Sequence, residues 1–210
     1  MCSQFDINLK SIDLEVYLNV PIAPTFELQT QVFPGYKSII LIKSNLGFET
    51  RTLVYGLSPK WAKPKAKFAT YNARIETIFE KPTWRDAIRS KRCLIPLTSF
   101  SESIYDKEYA GHLVKFSGAK DAPLIAAGVY DETGFAIITR EPLEFVGKAG
   151  HDRSPIFMHH EFFKNWLGTH LNGKDEEILK ILQAQADDIE LKVQSIRELK
   201  GHDKQQLKLF

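Results

Sequence analysis

The sequence predicts a single domain of the α+β class. Short apolar runs separated by turn residues fill the middle of the chain, whereas helical periodicity lies mainly in its later third. The 210 residues are 43% hydrophobic and 26% charged, which supplies one sizeable core and excludes a disordered chain. Because no internal repeat and no linker rich in glycine, serine or proline divides the sequence, we expect one domain over residues 1–210.

The predicted strands are short, apolar and bounded by turn residues. They cover residues 38–42, 52–57, 93–97, 112–116, 124–130, 135–139 and 155–158. The Asp-Glu-Thr-Gly sequence at 131–134 has the composition of a tight turn, so it should join two of these strands as a hairpin.

Three segments have the apolar periodicity of helices. They are residues 84–91, 161–167 and 175–185. In the third segment, Ile178, Ile181 and Leu182 fall on one side of a helix and predict the face that it buries.

Several classes of protein are excluded by what the sequence lacks. Two cysteines, Cys2 and Cys93, cannot form the disulfide framework of a small secreted module. The chain has no basic leader followed by an apolar stretch, and its apolar runs fall short of the roughly 20 residues of a membrane helix. We therefore expect a cytoplasmic protein that does not bind membranes.

Motifs for cofactors and metals are also missing. There is no Gly-x-Gly-x-x-Gly or Walker loop, and His160-Glu161 begins like a zinc-protease helix but has Lys164 where the second histidine belongs. The sequence therefore predicts no cofactor and no metal.

Charge is unevenly distributed along the chain. The whole sequence has a net charge of +2, but residues 60–92 hold ten Lys/Arg and three acids, a local +7. Such a segment is either a solvated face or an anion-binding groove, and its interleaved aromatics are either core residues or platforms for unpaired bases. The candidate DNA-binding residues here are Lys60, Trp61, Lys63, Lys65 and Lys67.

Cys2 carries a reactive combination if Met1 is removed, as we expect before a small second residue. A terminal cysteine has an α-amine and a thiol on adjacent carbons, and both are partly nucleophilic at neutral pH. The amine can condense with an aldehyde, and the thiol can close the imine to a thiazolidine. The alternative is a chance cysteine at position two.

An ordered set of short motifs accompanies Cys2. The chain opens on Met-Cys, has Tyr-Asn-Ala-Arg-Ile-Glu-Thr at 71–77, continues with Arg-Cys-Leu-Ile-Pro-Leu-Thr-Ser-Phe-Ser-Glu at 92–102, and has Phe-Ala-Ile-Ile-Thr at 135–139 before Gly-His-Asp-Arg-Ser-Pro at 150–155. This set resembles the SRAP family, the SOS-response-associated peptidases that process abasic sites in DNA, over roughly residues 1–168. The resemblance implies a curved, barrel-like, mostly antiparallel sheet flanked by helices, with a basic channel for single-stranded DNA.

The resemblance also implies roles for individual residues. Cys2 matches the nucleophile that forms a thiazolidine with the ring-opened abasic sugar, and Asn72 matches the asparagine that positions the sugar and the amine. Glu102 matches the catalytic carboxylate, His151 the histidine that assists ring opening and proton transfer, and Arg74 a phosphate-binding arginine. We accordingly expect a monomeric cysteine-type, self-processing peptidase or hydrolase of the DNA damage response. It should crosslink to abasic single-stranded DNA and associate with the nucleoid when bound.

The sequence departs from the family pattern around the DNA. Ser3 and Gln4 follow Cys2 where Gly-Arg is common, and Glu102 lacks the usual flanking aromatics. Arg153 is kept as a further DNA-binding candidate after His151. The reactive residues are intact, while their DNA-contacting neighbours are altered.

Other readings of the same residues remain open. Taken singly, Glu102 could be a solvated strand-end charge, His151 a loop residue and Asn72 a turn former, and Cys93 reads as a buried core thiol. Two other functions are an N-terminal-nucleophile hydrolase acting on an amide and a non-covalent module for single-stranded DNA. The lysines of 60–67 argue against the first, and the set of reactive residues that includes Cys2 argues against the second.

Overall fold

The computed structural model describes residues 3–7, 30–45, 47–58, 70–119, 122–185 and 189–199. Within these ranges the chain forms twelve strands. They are β1 (Gln4–Asp6), β2 (Gln31–Val32), β3 (Lys37–Ser44), β4 (Gly47–Val54), β5 (Asn72–Arg74), β6 (Arg92–Leu97), β7 (Ser99–Ser103), β8 (His112–Gly118), β9 (Leu124–Tyr130), β10 (Phe135–Arg140), β11 (Ser154–Pro155) and β12 (Leu191–Glu198).

Four α-helices are described besides two short 3₁₀ turns, at His160–Phe162 and Thr169–Leu171. The helices are α1 (Arg85–Ser90), α2 (Glu144–Ala149), α3 (Phe163–Trp166) and α4 (Asp175–Gln183). In the described residues, no helix is long and apolar enough to cross a membrane.

The strands belong to two sheets. One has the order β12-β8-β7-β1-β2, and the other has the order β11-β10-β9-β6-β3-β4 with β5 added beside β10. The strand pairs are antiparallel except for β5 with β10. Thr98 alone separates β6 from β7, so the chain passes from one sheet to the other in a single step.

The second sheet curls back toward its own first strands. An isolated bridge joins Tyr55, directly after β4, to Phe135 at the start of β10. Within the described ranges, however, the ladders form two open sheets and do not close a barrel. The predicted α+β class with a mostly antiparallel sheet is therefore confirmed, without a closed barrel.

The core lies between these sheets and the helices. All six residues of β6 are buried, and Phe100 of β7 stacks on Phe116 of β8 with ring centroids 5.0 Å apart. Strand β9 has small residues where it passes through this core. At Gly128, for example, an added Cβ would overlap Ile95 and the carbonyl oxygen of Ala136. The small side chains of β9 therefore let its neighbours pack closely on both sides.

Most predicted elements are present with shifted ends. Strand β4 ends at Val54 rather than at residue 57, and β11 is shorter than the predicted 155–158. The predicted helix over 161–167 is divided into a 3₁₀ turn and α3, whereas 131–134 does form the hairpin turn, in which Asp131 Oδ1 accepts the backbone N–H groups of Thr133 and Gly134.

Five described strands and one described α-helix have no counterpart in the prediction: β1, β2, β5, β7, β12 and α2. They lack the apolar signal that the prediction used. Strand β5 has three residues, of which two are polar, and β7 is rich in serine. Strand β12 is mostly exposed, because it is the edge of its sheet. Helix α2 is only six residues long and contains Gly147.

Candidate active site

A buried carboxylate and an imidazole meet at the junction of the two sheets. Glu102 lies on β7 and is 2% exposed, and His151 lies in the loop between α2 and β11. His151 Nε2 is 3.5 Å from Glu102 Oε2, at the outer limit of hydrogen-bond contact. Catalytic hydrogen bonds are often this long before substrate binds, so the pair can exchange a proton in the assembled site.

Gly150 makes this approach possible. It ends α2 in the left-handed region, with φ 104°, where glycine is favoured. A Cβ at this position would overlap the carbonyl oxygen of Asp106, in the loop that follows β7. The His151 N–H then donates to the Val146 carbonyl at 3.1 Å. The glycine therefore lets the loop that carries His151 pack against the loop that follows Glu102.

The backbone of Arg153 holds the other side of the imidazole. His151 Nδ1 lies 3.1 Å from the Arg153 amide nitrogen and 3.0 Å from its carbonyl oxygen. The amide can only donate and the carbonyl can only accept, so Nδ1 has a partner in either neutral tautomer: it accepts from the amide when Nε2 carries the proton toward Glu102, and it donates to the carbonyl when Nδ1 carries the proton. In the charged ring, Nδ1–H can likewise donate to the carbonyl. Both protonation states of His151 thus have a partner.

The Arg153 side chain is engaged within the protein. Its Nη1 and Nη2 donate to the two carboxylate oxygens of Glu76 at 2.8 and 2.9 Å, and Nη2 also donates to the Thr139 carbonyl at 2.9 Å. Burial alone would raise the pKa of Glu76, but the hydrogen bonds and positive charge of Arg153 outweigh it and lower that pKa. Arg153, a DNA-binding candidate from the sequence, therefore has a protein partner beside His151.

Strand β5 brings Asn72 and Arg74 to the edge of β10. The parallel register pairs Asn72 with Ile137 and Arg74 with Thr139. Asn72 is 5% exposed, whereas Arg74 is exposed to solvent. The Thr139 carbonyl accepts from Ile75 N–H as well as from Arg153, so one atom of β10 links β5 to the loop that carries His151.

Six of the sequence-predicted site residues lie outside the described residues. They are Cys2, Lys60, Trp61, Lys63, Lys65 and Lys67. Strand β1 nevertheless begins two residues after Cys2. It runs antiparallel to β7, with Gln4 opposite Ser101. The N-terminal strand is thus paired beside Glu102.

Three basic residues of segment 60–92 have partners within the protein. Arg92 is buried and donates to carbonyl groups, Arg89 is paired with Asp175 at 2.6 Å, and Lys91 with Glu132 at 2.6 Å. These three cations therefore serve contacts within the protein, and the anion-binding role of the segment stays a prediction for its other basic residues.

The remaining cysteine has the structural role that the sequence suggested. Cys93 is fully buried in β6, and burial raises the pKa of its thiol well above the ordinary range. Such a thiol is a poor nucleophile. In the described part of the chain, no cluster of three or more His, Cys, Asp or Glu side chains could hold a metal ion.

Glu76 is the site residue that sequence reasoning left without a role. It stands within the 71–77 motif, two residues after Arg74, but its partner Arg153 is 77 residues away in the chain. The sequence shows a carboxylate in one motif and an arginine in another, and no local pattern indicates that the two are paired.

Known proteins resemble this chain over most of its length. A family model described as SOS response associated peptidase (SRAP) matches residues 1–199. The abasic site processing protein YoaM of Bacillus subtilis (strain 168) is 34% identical, covering 90% of this chain and 86% of its own. The abasic site processing protein YoqW of the same strain is 31% identical, covering 90% and 87%.

Solved structures share the fold. A Bordetella bronchiseptica protein has a TM-score of 0.76 at 21% identity, covering 93% of this chain and 100% of that one. A Bacteroides thetaiotaomicron protein has a TM-score of 0.74 at 22% identity, covering 93% and 92%. With the sequence match over residues 1–199, these findings establish that the chain belongs to the SOS response associated peptidase (SRAP) family.

Proposed function

We propose that this chain processes abasic sites in single-stranded DNA by capturing the abasic sugar covalently on Cys2. The observation that carries the proposal is the buried Glu102–His151 pair beside the N-terminal strand. Family membership and relatives named abasic site processing proteins support the choice of substrate.

Chain connectivity supports the choice of nucleophile. Cys2 is two residues before Gln4, so its Cα lies within about 7.6 Å of the Gln4 Cα. Gln4 is opposite Ser101, the residue before Glu102. An amine and a thiol tethered at this distance can reach a sugar that also contacts the carboxyl group.

The proposed reaction needs no oxidant or reductant. The Cys2 α-amine adds to the aldehyde carbon of the ring-opened sugar, and the carbonyl oxygen leaves as water to form an imine. The thiol sulfur then adds to the imine carbon while its proton passes to the nitrogen. This closes a thiazolidine ring and completes the crosslink.

The described residues have chemistry that suits each step. Glu102 and His151 transfer protons during ring opening and water loss, a role for which their 3.5 Å separation is suitable. The buried Asn72 amide orients the sugar and the amine. The exposed Arg74 guanidinium and the lysines of residues 60–67 bind phosphates, and Trp61 stacks on an unpaired base.

The proposal extends to the setting of the protein. We infer one domain over residues 1–210 that acts as a monomer in the cytoplasm and joins the nucleoid when it binds damaged DNA. Its peptidase activity is the removal of Met1, which exposes the Cys2 amine.

A crosslinking assay with two cysteine variants tests the proposal. Purified protein is mixed with a labelled single-stranded oligonucleotide containing one abasic site, and the products are separated on a denaturing gel. Cys2→Ala should abolish the stable adduct, whereas Cys93→Ala should retain it because that thiol is buried. The adduct mass should equal the chain from Cys2 plus the DNA minus one water.

Other outcomes would replace the proposal. Binding of intact and abasic strands without an adduct would indicate a non-covalent module. Hydrolysis of an amide without an adduct would indicate an N-terminal-nucleophile hydrolase. A stable adduct from Cys2→Ala without added reductant would show that the nucleophile is another group.

A further inference from the structure

We infer that Glu76 is a positioning residue for His151, which it holds toward Glu102 through Arg153. The kinetic test of this inference rests on the proposed function. Glu76 touches neither Glu102 nor His151 by any described contact, so its effect on the pair passes through Arg153.

The first step is the fixed orientation of the Arg153 guanidinium. Two parallel bonds to the Glu76 carboxylate, at 2.8 and 2.9 Å, define both the distance and the plane of the group. A third bond, to the Thr139 carbonyl at 2.9 Å, fastens the same group to β10. The Arg153 side chain is 10% exposed, so water competes little for its donors, whereas the Glu76 side chain is 47% exposed.

The second step is that the fixed Arg153 side chain restricts the backbone of its own loop. Residues 151–153 lie between the end of α2 at Gly150 and the start of β11, and they belong to neither element. A side chain fixed at three acceptor atoms restricts the backbone that carries it. The Arg153 amide and carbonyl groups both face His151 Nδ1, at 3.1 and 3.0 Å.

The third step is the effect on the opposite ring nitrogen. When Nδ1 accepts from the Arg153 amide, the proton of the neutral ring lies on Nε2, 3.5 Å from Glu102 Oε2. A shift of the loop by 1 Å would break one of these two contacts. Displacements of about that size can reduce a rate by roughly 10²-fold. Glu76 thus controls where the Nε2 edge of the His151 ring lies relative to Glu102.

The test uses a double-mutant cycle between Glu76→Gln and His151→Ala. The maximal rate of adduct formation is measured at saturating protein, and the protein concentration at half-maximal rate is measured separately. Glu76→Gln should lower the maximal rate by about 10-fold, part of the roughly 10²–10⁴ that general acid–base groups contribute. The half-saturating concentration should not rise, because a negative charge has been removed near DNA. Glu80→Gln, an exposed acid four residues later, is the matched control and should leave both values unchanged.

The cycle separates positioning from damage to the fold. If Glu76 acts through His151, Glu76→Gln causes no further loss of rate when His151 is already alanine. An equal loss in both backgrounds, or no loss in the otherwise unchanged protein, would overturn the inference. If Glu76→Gln does not fold, Glu76→Asp enters the same cycle, because its shorter side chain cannot keep both bonds to Arg153.

A spectroscopic measurement gives an answer that does not depend on DNA chemistry. The ¹⁵N shifts of His151 report which ring nitrogen carries the proton. In the native protein the Arg153 backbone should hold the ring in one environment with one predominant tautomer, and Glu76→Gln should change the proportion of the two tautomers. Identical shifts in the two proteins would refute the role of Glu76 even if the crosslinking succeeds. Absence of an adduct from the native protein would refute the proposed function while this measurement still tests the positioning role.

Discussion

Replacing Arg92 with methionine removes a buried cation whose five N–H donors are all engaged. Its guanidinium donates to the carbonyl oxygens of Ile88, Arg89, Trp166 and Gly168 and to the Asn172 side chain, at distances from 2.8 to 3.1 Å. These acceptors lie at the C-terminal ends of α1 and α3 and on either side of the 3₁₀ turn at Thr169–Leu171. One side chain therefore ties three elements to the start of β6.

The cost of this change can be worked from the acceptors. The Arg89 and Gly168 carbonyls each keep a second donor, the N–H groups of Gly173 and Leu171. The Ile88 and Trp166 carbonyls are affected most, and a buried acceptor without a donor costs roughly 1–3 kcal/mol. The two carbonyl groups together therefore cost roughly 2–6 kcal/mol. Part of this cost is offset because the variant no longer buries a cation, and the same burial lowers the pKa of Arg92 to about 10. We expect a net loss of about 3 kcal/mol, or roughly 6–12 °C in Tm for a chain of this size.

Chemical denaturation and DNA binding together test this prediction. Arg85→Met is the matched control, since it removes the same charge from a side chain that is 49% exposed and should change stability by no more than about 0.5 kcal/mol. Arg92→Met should not alter the salt dependence of DNA binding in protein that remains folded. A loss of stability no larger than that of Arg85→Met would refute the reasoning. So would a salt slope reduced in magnitude by about 0.7, the value of one phosphate contact on single-stranded DNA.

Three further predictions concern the site and its supports. Glu102→Gln should slow adduct formation at saturating protein by about 10²–10⁴-fold with DNA affinity retained; a rate within about 3-fold of native would remove Glu102 from the chemistry. Gly150→Ala should destabilise the fold by about 1–3 kcal/mol in denaturation and slow the crosslink, because it combines backbone strain with steric overlap. Alanine at Gly173, with positive φ but open space, should cost less, and equal costs would contradict the role of the overlap. Hydrogen bonding to Arg89 lowers the pKa of Asp175. The pair therefore stabilises the fold at pH values above the ordinary pKa of a carboxyl group, and this contribution is lost as pH falls through the lowered pKa. Because the pair is about one-third exposed, Asp175→Asn should cost only up to about 1 kcal/mol of stability near pH 7, and it should cost nothing in strong acid. A stability difference between the two proteins that does not change with pH in denaturation curves would contradict this.

Local sequence was most informative where burial is continuous along the chain. The apolar run of β9 and the helical face of Ile178, Ile181 and Leu182 were predicted because each pattern reflects one buried surface. Strands β5 and β7 were missed because they are stabilised by neighbours from elsewhere in the chain. Yet these polar strands carry Asn72 and Glu102, so the elements that hold the site were the hardest to predict.

The sequence by itself determined which chemical groups are present and in what order, including Cys2, Glu102 and His151 in their family motifs. The tertiary structure decided how the charges are used. Charge counting treats Arg74 and Arg92 alike, but one is exposed and the other is buried against helix ends. The structure alone joined Glu76 to Arg153 and gave the His151 ring its orientation. The physical reason is that burial and hydrogen bonding depend on contacts between residues distant in the chain, whereas a sequence pattern reports only on residues that are close together in the chain.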